Sequence, residues 1–399
     1  MIILRVILSM LLVLMVAVGI FYIVGQLTKP SFDNVNQELE YLVKDQVRSS
    51  EHIKSCVVYV TRGDGLFTWA GAAGIAKQDG RAPMTKDTPV YLASITKLYT
   101  AAAIMRLYEQ GALAIDDPMA KYLPDDLIRG IHIFEGRDYS HEITIAQLLA
   151  HTSGIADYYD EKSKDGTTLF ETFVADRKRT WTVDETIAWA RNNMVPNFKP
   201  GTAASYSDTN YQLLGKIIES VTGRPLHVVY DEFFFQPLGL KSTWLVGRSQ
   251  PQITPPAAAA DVFFNELDIT HVRSNGAYWA DGGIVSTAED MILFLKALNQ
   301  GKIIRKDTLA LMHNWHALRN IPFLQYGYGT MHFEIPSVVN WITNVPPVWG
   351  HMGSTGAFLY YAEDLDLYIA GTINQTEDKL ATIMLMIKVM QAIACAHIS

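Results

Sequence analysis

The sequence predicts an α/β fold in which one mixed sheet, assembled from strands at both ends of the chain, is interrupted by a large helical insertion. Three observations lead there. Short apolar runs with strand character cluster near residues 56–75 and 348–373, and the region between them reads mainly as helical patches and loops. The 399 residues, 49% of them hydrophobic, supply enough side chains for a large core. A charged content of only 19%, with 8 Trp, 19 Tyr and 16 Phe, argues against a disordered chain. Lys+Arg 33 against Asp+Glu 41 gives a net charge of −8, which disfavours nucleic-acid binding. Two cysteines exclude a disulfide scaffold and an all-thiolate zinc site. They leave a Cys56–Cys395 bridge or, preferably, two buried free thiols.

Taken in order, the chain opens with Val6 to Val24, an uncharged apolar run long enough to cross a hydrocarbon core of ~20 residues. It reads as an uncleaved membrane anchor in preference to a signal peptide, although Ala17-Val18-Gly19 resembles a cleavage site. Either reading exports the remainder of the chain, with Arg5 on the cytoplasmic side. Residues 1–27 are thus an anchor or signal segment and 28–51 a juxtamembrane linker, helical from Asp33 to Glu51. Residues 52–399 form the folded domain. Cys56–Val60 and Leu66–Ile75 read as paired strands around a Gly63-Asp64-Gly65 turn. Residues 94–110 form a helix closed by Gly111. Further helices are expected at Asp208–Val221 and Ala288–Leu298. Strands return at Val348–Met352, Ala357–Tyr361 and Leu367–Ile373, before a last amphipathic helix from Glu377 to Ala394.

Three places carry candidate chemistry. Ser94-Ile-Thr-Lys97 is the only S-x-x-K in the chain, and residues three apart on a helix share one face. Ser94 at the helix N-terminus would sit where developing negative charge is favoured, with a desolvated Lys97 as its proton partner. Tyr206-Ser207-Asp208 is the second: a phenol placed against a lysine ammonium can have its pKa lowered and shuttle a proton. Tyr158-Tyr159-Asp160 has the same form, so the letters alone do not discriminate. His351-Met352-Gly353, with Ser354 next in the chain, is the third, where a glycine admits close backbone approach and the next N–H can complete an oxyanion hole. His313 and His316 lack the glutamate of a metallohydrolase motif, and neither a metal nor any other cofactor is expected.

S-x-x-K, then Y-x-[ND], then [KH]-x-G, in that order and spacing, resembles the penicillin-recognising serine hydrolases. Within them the chain is similar to the class C β-lactamase/DD-peptidase branch, which includes D-aminopeptidases and carboxylesterases. The phrases Leu148–Gly154 (LLAHTSG), Tyr206–Gly223, Gly282–Asp290 (GGIVSTAED) and Tyr326–Gly329 (YGYG) resemble that branch too, so the likeness runs from about residue 50 to the C-terminus. It implies a β-lactamase/transpeptidase-like α/β fold: an antiparallel sheet flanked by helices (52–92 and 305–399) with an inserted helical lobe (93–304). It implies Ser94 as acylated nucleophile, Lys97 as its proton partner and Tyr206 as base. The backbone N–H groups of Ser94 and Ser354 would form the oxyanion hole, and Asp208, His351 and Gly353 would meet the substrate. The implied activity is an extracytoplasmic serine hydrolase working through an acyl-enzyme on D-Ala-D-Ala-like peptides or related esters. A carboxylesterase and a slowly turning-over penicillin-binding sensor are the alternatives.

Two departures from that pattern matter. No Lys-Thr-Gly occurs, so the fixed positive charge that could hold a substrate carboxylate is replaced by His351, expected to titrate near neutral pH and to make KM rise between about pH 5 and 8. Asp208 stands where the family generally has asparagine. An ionised carboxylate only accepts, so it would hold Lys97 protonated and repel an acyl-amide oxygen; Asp208 is then protonated and donates, or Tyr206 carries the base role alone, or the substrate is an ester lacking that amide, and a tilt towards esters or small acyl groups is expected.

Overall fold

The computed structural model describes residues 33–273, 276–319, 321, 324–334 and 345–396. The apolar segment Val6 to Val24 lies outside them, and among the described residues no helix is long and apolar enough to cross a membrane.

Among the described residues the main sheet has eight strands: β1 (Ser55–Arg62), β2 (Thr68–Gly74), β3 (His316–Ala317), β4 (Leu324–Tyr326), β5 (Met331–Phe333), β6 (Val348–Met352), β7 (Ala357–Ala362) and β8 (Leu367–Thr372). Their spatial order is β3-β4-β5-β6-β7-β8-β1-β2. N-terminal β1 pairs with C-terminal β8, Val57 opposite Thr372 and Arg62 opposite Leu367, so both chain ends build one sheet as expected. Every ladder is antiparallel, as the family resemblance implies and in place of the mixed sheet read from the element pattern alone. The strands join through hairpins or through the long insertion, and neither route imposes a parallel crossover.

Side chains alternate between faces along each strand. Cys56, Val58 and Val60 of β1, with Leu367 and Ile369 of β8, pack against Leu39, Leu42 and Val43 of helix α1 (Val35–Arg48) and against the C-terminal helix Lys379–Cys395. Val57 of β1, Leu359 of β7 and Tyr368 and Ala370 of β8 face the opposite way, against helices α2 (Thr96–Glu109) and Ala288–Asn299. Because helices cover both faces, β7 and β8 are buried along their whole length. The helix read from sequence as a juxtamembrane linker is therefore seated on the sheet. Asn34 caps it by accepting the Gln37 N–H.

Both cysteines are free. Cys56 is buried, while Cys395 is exposed, so only one of the two thiols is in the core.

Candidate active site

Ser94 lies in a single 3-10 turn, Ala93–Ile95, that runs directly into α2. Ala93 has φ +46°, a left-handed conformation that costs a non-glycine residue about 1–3 kcal/mol. The surroundings enforce it: the Leu92 N–H donates to the Ile284 carbonyl, and the Ile284 N–H donates to Thr96 Oγ1. Lys97 comes three residues on and is fully buried. Its ammonium donates to Ser94 Oγ at 3.1 Å, to the Asp281 carbonyl at 2.8 Å and to the Asp208 carboxylate. Those three contacts use all three ammonium hydrogens.

Asp208 occupies the first turn of helix α3 (Asp208–Thr222), 111 residues from Lys97 in sequence. Its placement depends on the Leu148–Gly154 segment, whose last residues clasp the start of α3. His151 Nδ1 accepts from the Ser207 N–H at 3.1 Å and from Asn210 Nδ2 at 3.2 Å, and Ser153 Oγ donates to Asn210 Oδ1 at 2.8 Å. The Asp208 N–H donates to Asp157 Oδ1 at 3.0 Å.

Tyr206 completes the group. Lys97 Nζ stands 4.9 Å from the centre of its ring, and its hydroxyl is buried with no hydrogen-bond partner. Burial, together with the charges of Asp208, Asp157 and Asp281, raises its pKa well above the usual phenol value. The neighbouring Ser94 hydroxyl opposes this in part without meeting hydrogen-bond geometry. This corrects the expected lowering. The ammonium lies over the ring face and is paired with Asp208, so it does not stabilise the phenolate oxygen. Tyr158, of the competing Y-x-D, donates instead to Asp281 Oδ2 at 2.5 Å.

His351 differs from its expected role as well. It is fully buried on β6, and its Nδ1 lies 2.7 Å from the Met352 carbonyl. A carbonyl only accepts, so Nδ1 carries the hydrogen and Nε2 accepts from the Tyr326 hydroxyl at 3.0 Å. Burial and the Lys97 charge push its pKa down to about 3. The imidazole is therefore neutral at every ordinary pH, and the expected switch near neutrality is overturned. Gly353 was expected to admit close approach of a substrate at an edge strand; it instead follows an interior strand, and a Cβ there would fall 2.2 Å from the protein's own Leu92 carbonyl oxygen. Thr355 Oγ1 donates to the Tyr91 carbonyl at 2.7 Å. These contacts fasten the turn containing Ser354 against the segment that presents Ser94.

Three further residues belong to the group and were not singled out from sequence: His151, Asp157 and Asp281. His151 lies within a phrase similar to the family's, but nothing in its letters marks its contacts. Asp281 immediately precedes the GGIVSTAED phrase, and burial with the Asp208 charge raises its pKa to about 6. His313 stacks on Trp315 with ring centres 4.8 Å apart. Among the described residues no three His, Cys, Asp or Glu side chains group to hold a metal ion.

The family described as Beta-lactamase matches residues 36–386. Esterase EstB of Burkholderia gladioli is 28% identical over 289 residues, 67% of this chain and 71% of that protein. A D-aminopeptidase of Cereibacter sphaeroides is 28% identical over 235 residues, 58% of this chain but only 40% of the relative. Among solved structures, a D-stereospecific amidohydrolase from Streptomyces sp. superposes with a TM-score of 0.69 at 27% identity, covering 89% of this chain and 98% of that one.

Proposed function

Because the chain belongs to the β-lactamase family and is a serine hydrolase, we propose that it forms an acyl-enzyme on Ser94 with D-Ala-D-Ala-like peptides or related esters. The observation that carries this reading is the contact of Ser94 Oγ with Lys97 Nζ at 3.1 Å beneath the unpartnered hydroxyl of Tyr206. Lys97 donates to the serine oxygen and offsets negative charge that builds there on attack. A phenol held well above its ordinary pKa does not start as phenolate. Tyr206 therefore acts as a relay: its oxygen takes the Ser94 proton while its own proton passes to the leaving group. The electron pair freed on Ser94 Oγ forms the bond to the carbonyl carbon, and the N–H groups of Ser94 and Ser354 receive the oxyanion; when the oxyanion re-forms the carbonyl, the bond from carbon to the leaving group breaks and that group departs with the Tyr206 proton. Water then retraces the path and releases the acid.

A carboxylesterase is the second reading, and His351 favours it. Neutral, and occupied by Met352 and Tyr326, it offers no charge to a substrate carboxylate. The esterase relative from Burkholderia gladioli is in keeping with that. We further place the catalytic domain outside the cytoplasm, on the strength of the apolar segment Val6 to Val24. Protease accessibility of the domain on intact cells checks this.

A fluorophosphonate probe run with the intact chain and with Ser94→Ala tests the reaction. Labelling of the native serine that is absent in the variant is expected, together with p-nitrophenyl acetate turnover by the unlabelled chain that the probe abolishes. Equal labelling of Ser94→Ala removes Ser94 as nucleophile. Labelling without any turnover indicates a sensor.

A further inference from the structure

The chain on either side of Tyr206 is gripped by a single residue. The His151 carbonyl accepts the Ser205 N–H at 3.0 Å, and His151 Nδ1 accepts the Ser207 N–H at 3.1 Å. Between those two bonds the imidazole packs on the Tyr206 ring, with centres 4.4 Å apart and planes inclined by 38°. Tyr326 completes the group. Its ring lies 4.4 Å from that of His151 and 5.7 Å from that of Tyr206, and its hydroxyl donates to His351 Nε2. The Tyr206 hydroxyl has no hydrogen-bond partner of its own. Its aim therefore comes from the backbone around it and from ring packing, and His151 contributes to both.

Two features of His151 are costly. It is fully buried, yet its φ of +57° lies in the left-handed region that few residues other than glycine adopt. Nδ1 also accepts from Asn210 Nδ2 at 3.2 Å, so the ring hydrogen sits on Nε2, and that buried donor has no partner. Such strain and such orphaned donors persist where the surrounding structure over-determines a conformation, and they gather at active sites. An apolar ring would avoid the orphaned donor but could not accept the Ser207 N–H. Burial, and after it the charge of Lys97, holds the imidazole pKa well below its ordinary value. Protonation would turn Nδ1 into a donor and release Ser207, so the grip needs the neutral ring.

Resting on the serine-hydrolase reading above, we propose that His151 is a positioning residue for Tyr206: it grips Ser205 and Ser207, backs the phenol ring and so aims the Tyr206 hydroxyl at Ser94, without exchanging a proton itself.

A double-mutant cycle on p-nitrophenyl acetate hydrolysis tests it. His151→Asn keeps an acceptor in the place of Nδ1 and tolerates the left-handed backbone, but it removes the ring. Its kcat should fall on the order of 100-fold, the cost of displacing a reacting group by about 1 Å. KM should stay within about twofold, and the pH profile of kcat should keep its native shape. Added to Tyr206→Phe, the same substitution should lower kcat by no more than about twofold further, because the hydroxyl it aims is already gone. Rates of Ser94 labelling by a fluorophosphonate supply the comparison where turnover is too slow to read. Should His151→Asn not fold, His151→Gly, free of the left-handed strain, takes its place in the cycle. Losses that multiply in the double variant overturn the proposal, since a merely structural role acts whether or not the phenol is present. An unchanged kcat in the single variant overturns it too, as does an ionisation missing from its pH profile. Hydrolysis that is lost in Ser94→Ala keeps the hydrolase reading intact whatever the cycle shows. Hydrolysis that survives in Ser94→Ala removes that reading and the proposal with it.

Discussion

Lys97 and Asp208, 111 residues apart in sequence, form an ion pair at the floor of the site, and the same ammonium touches Ser94 Oγ at 3.1 Å. The pair decides how each neighbour behaves. It occupies the lysine that would otherwise favour ionisation of Tyr206, and it places an acceptor-only group where an amide would both give and take.

The first prediction concerns the acyl group. Asp208→Asn restores a donor for an acyl-amide oxygen, so an ester carrying that amide should be turned over faster relative to an ester lacking it. The p-nitrophenyl esters of N-acetylalanine and propionic acid measure it, and an unchanged ratio removes Asp208 from the discrimination.

The second separates catalysis from stability. The Tyr206 hydroxyl makes no hydrogen bond in the resting enzyme. Tyr206→Phe keeps the ring packed against His151 and Lys97 while removing the relay. Activity should fall about 100- to 10,000-fold in kcat with KM little changed. Tm should hold or rise slightly, because a buried hydroxyl without a partner is lost. A large fall in Tm would mean that the phenol oxygen is structural.

For His351, a pKa near 3 means no titration between pH 5 and 8, so KM should not track a histidine there. Its effect is on acid stability. The unfolded histidine binds a proton near pH 6.5 that the buried ring refuses, so the unfolded state holds more protons between about pH 6.5 and 3. Stability contributed by the neutral ring is present above pH 6.5 and lost as pH falls. His351→Gln should flatten that part of the acid denaturation profile, measured as Tm against pH.

Asp281 acts in the opposite sense. Its folded pKa of about 6 exceeds the ordinary 3.8, so the folded state holds more protons between those values and stability falls as pH rises across them. Asp281→Asn removes the ionisable group while keeping an acceptor for the Trp279 N–H, which lies 2.9 Å away. The variant should gain stability relative to the native chain as pH rises from about 4 to about 6.5. A constant difference across that range would contradict the assignment.

Gly353→Ala probes the turn beside Ser94. Its Cβ cannot share space with the Leu92 carbonyl at 2.2 Å, so the end of β6 must move away from the segment carrying Ser94. A loss of about 1–3 kcal/mol in stability is expected. The kcat should fall further than unfolding explains, since the Ser354 N–H moves with the turn.

Much of this site was legible in the sequence. Ser94 and Lys97 come together through local spacing alone, whereas the close neighbour of Gly353 is the Leu92 carbonyl and not the substrate its lack of a side chain suggested. Five of the strands, β1, β2, β6, β7 and β8, lie close to where they were expected because apolar runs of that length need a sheet to cover them, and the positions of those runs bring both chain ends together; the short β3, β4 and β5 carry no such run and were not foreseen. His151, Asp157 and Asp281 escaped notice because their roles lie in contacts with Ser207, Asp208 and Lys97. No periodicity encodes contacts between residues so far apart.

By itself, then, the sequence determined the α/β class, the resemblance in three ordered motifs and the pairing of Ser94 with Lys97, all properties of residue type and short-range spacing. Only tertiary structure decided the protonation chemistry. The upward shift of Tyr206, the permanent neutrality of His351 and the orientation of Asp208 arise from burial and from charges brought together by folding. Those energies depend on distance in space and exclusion of water.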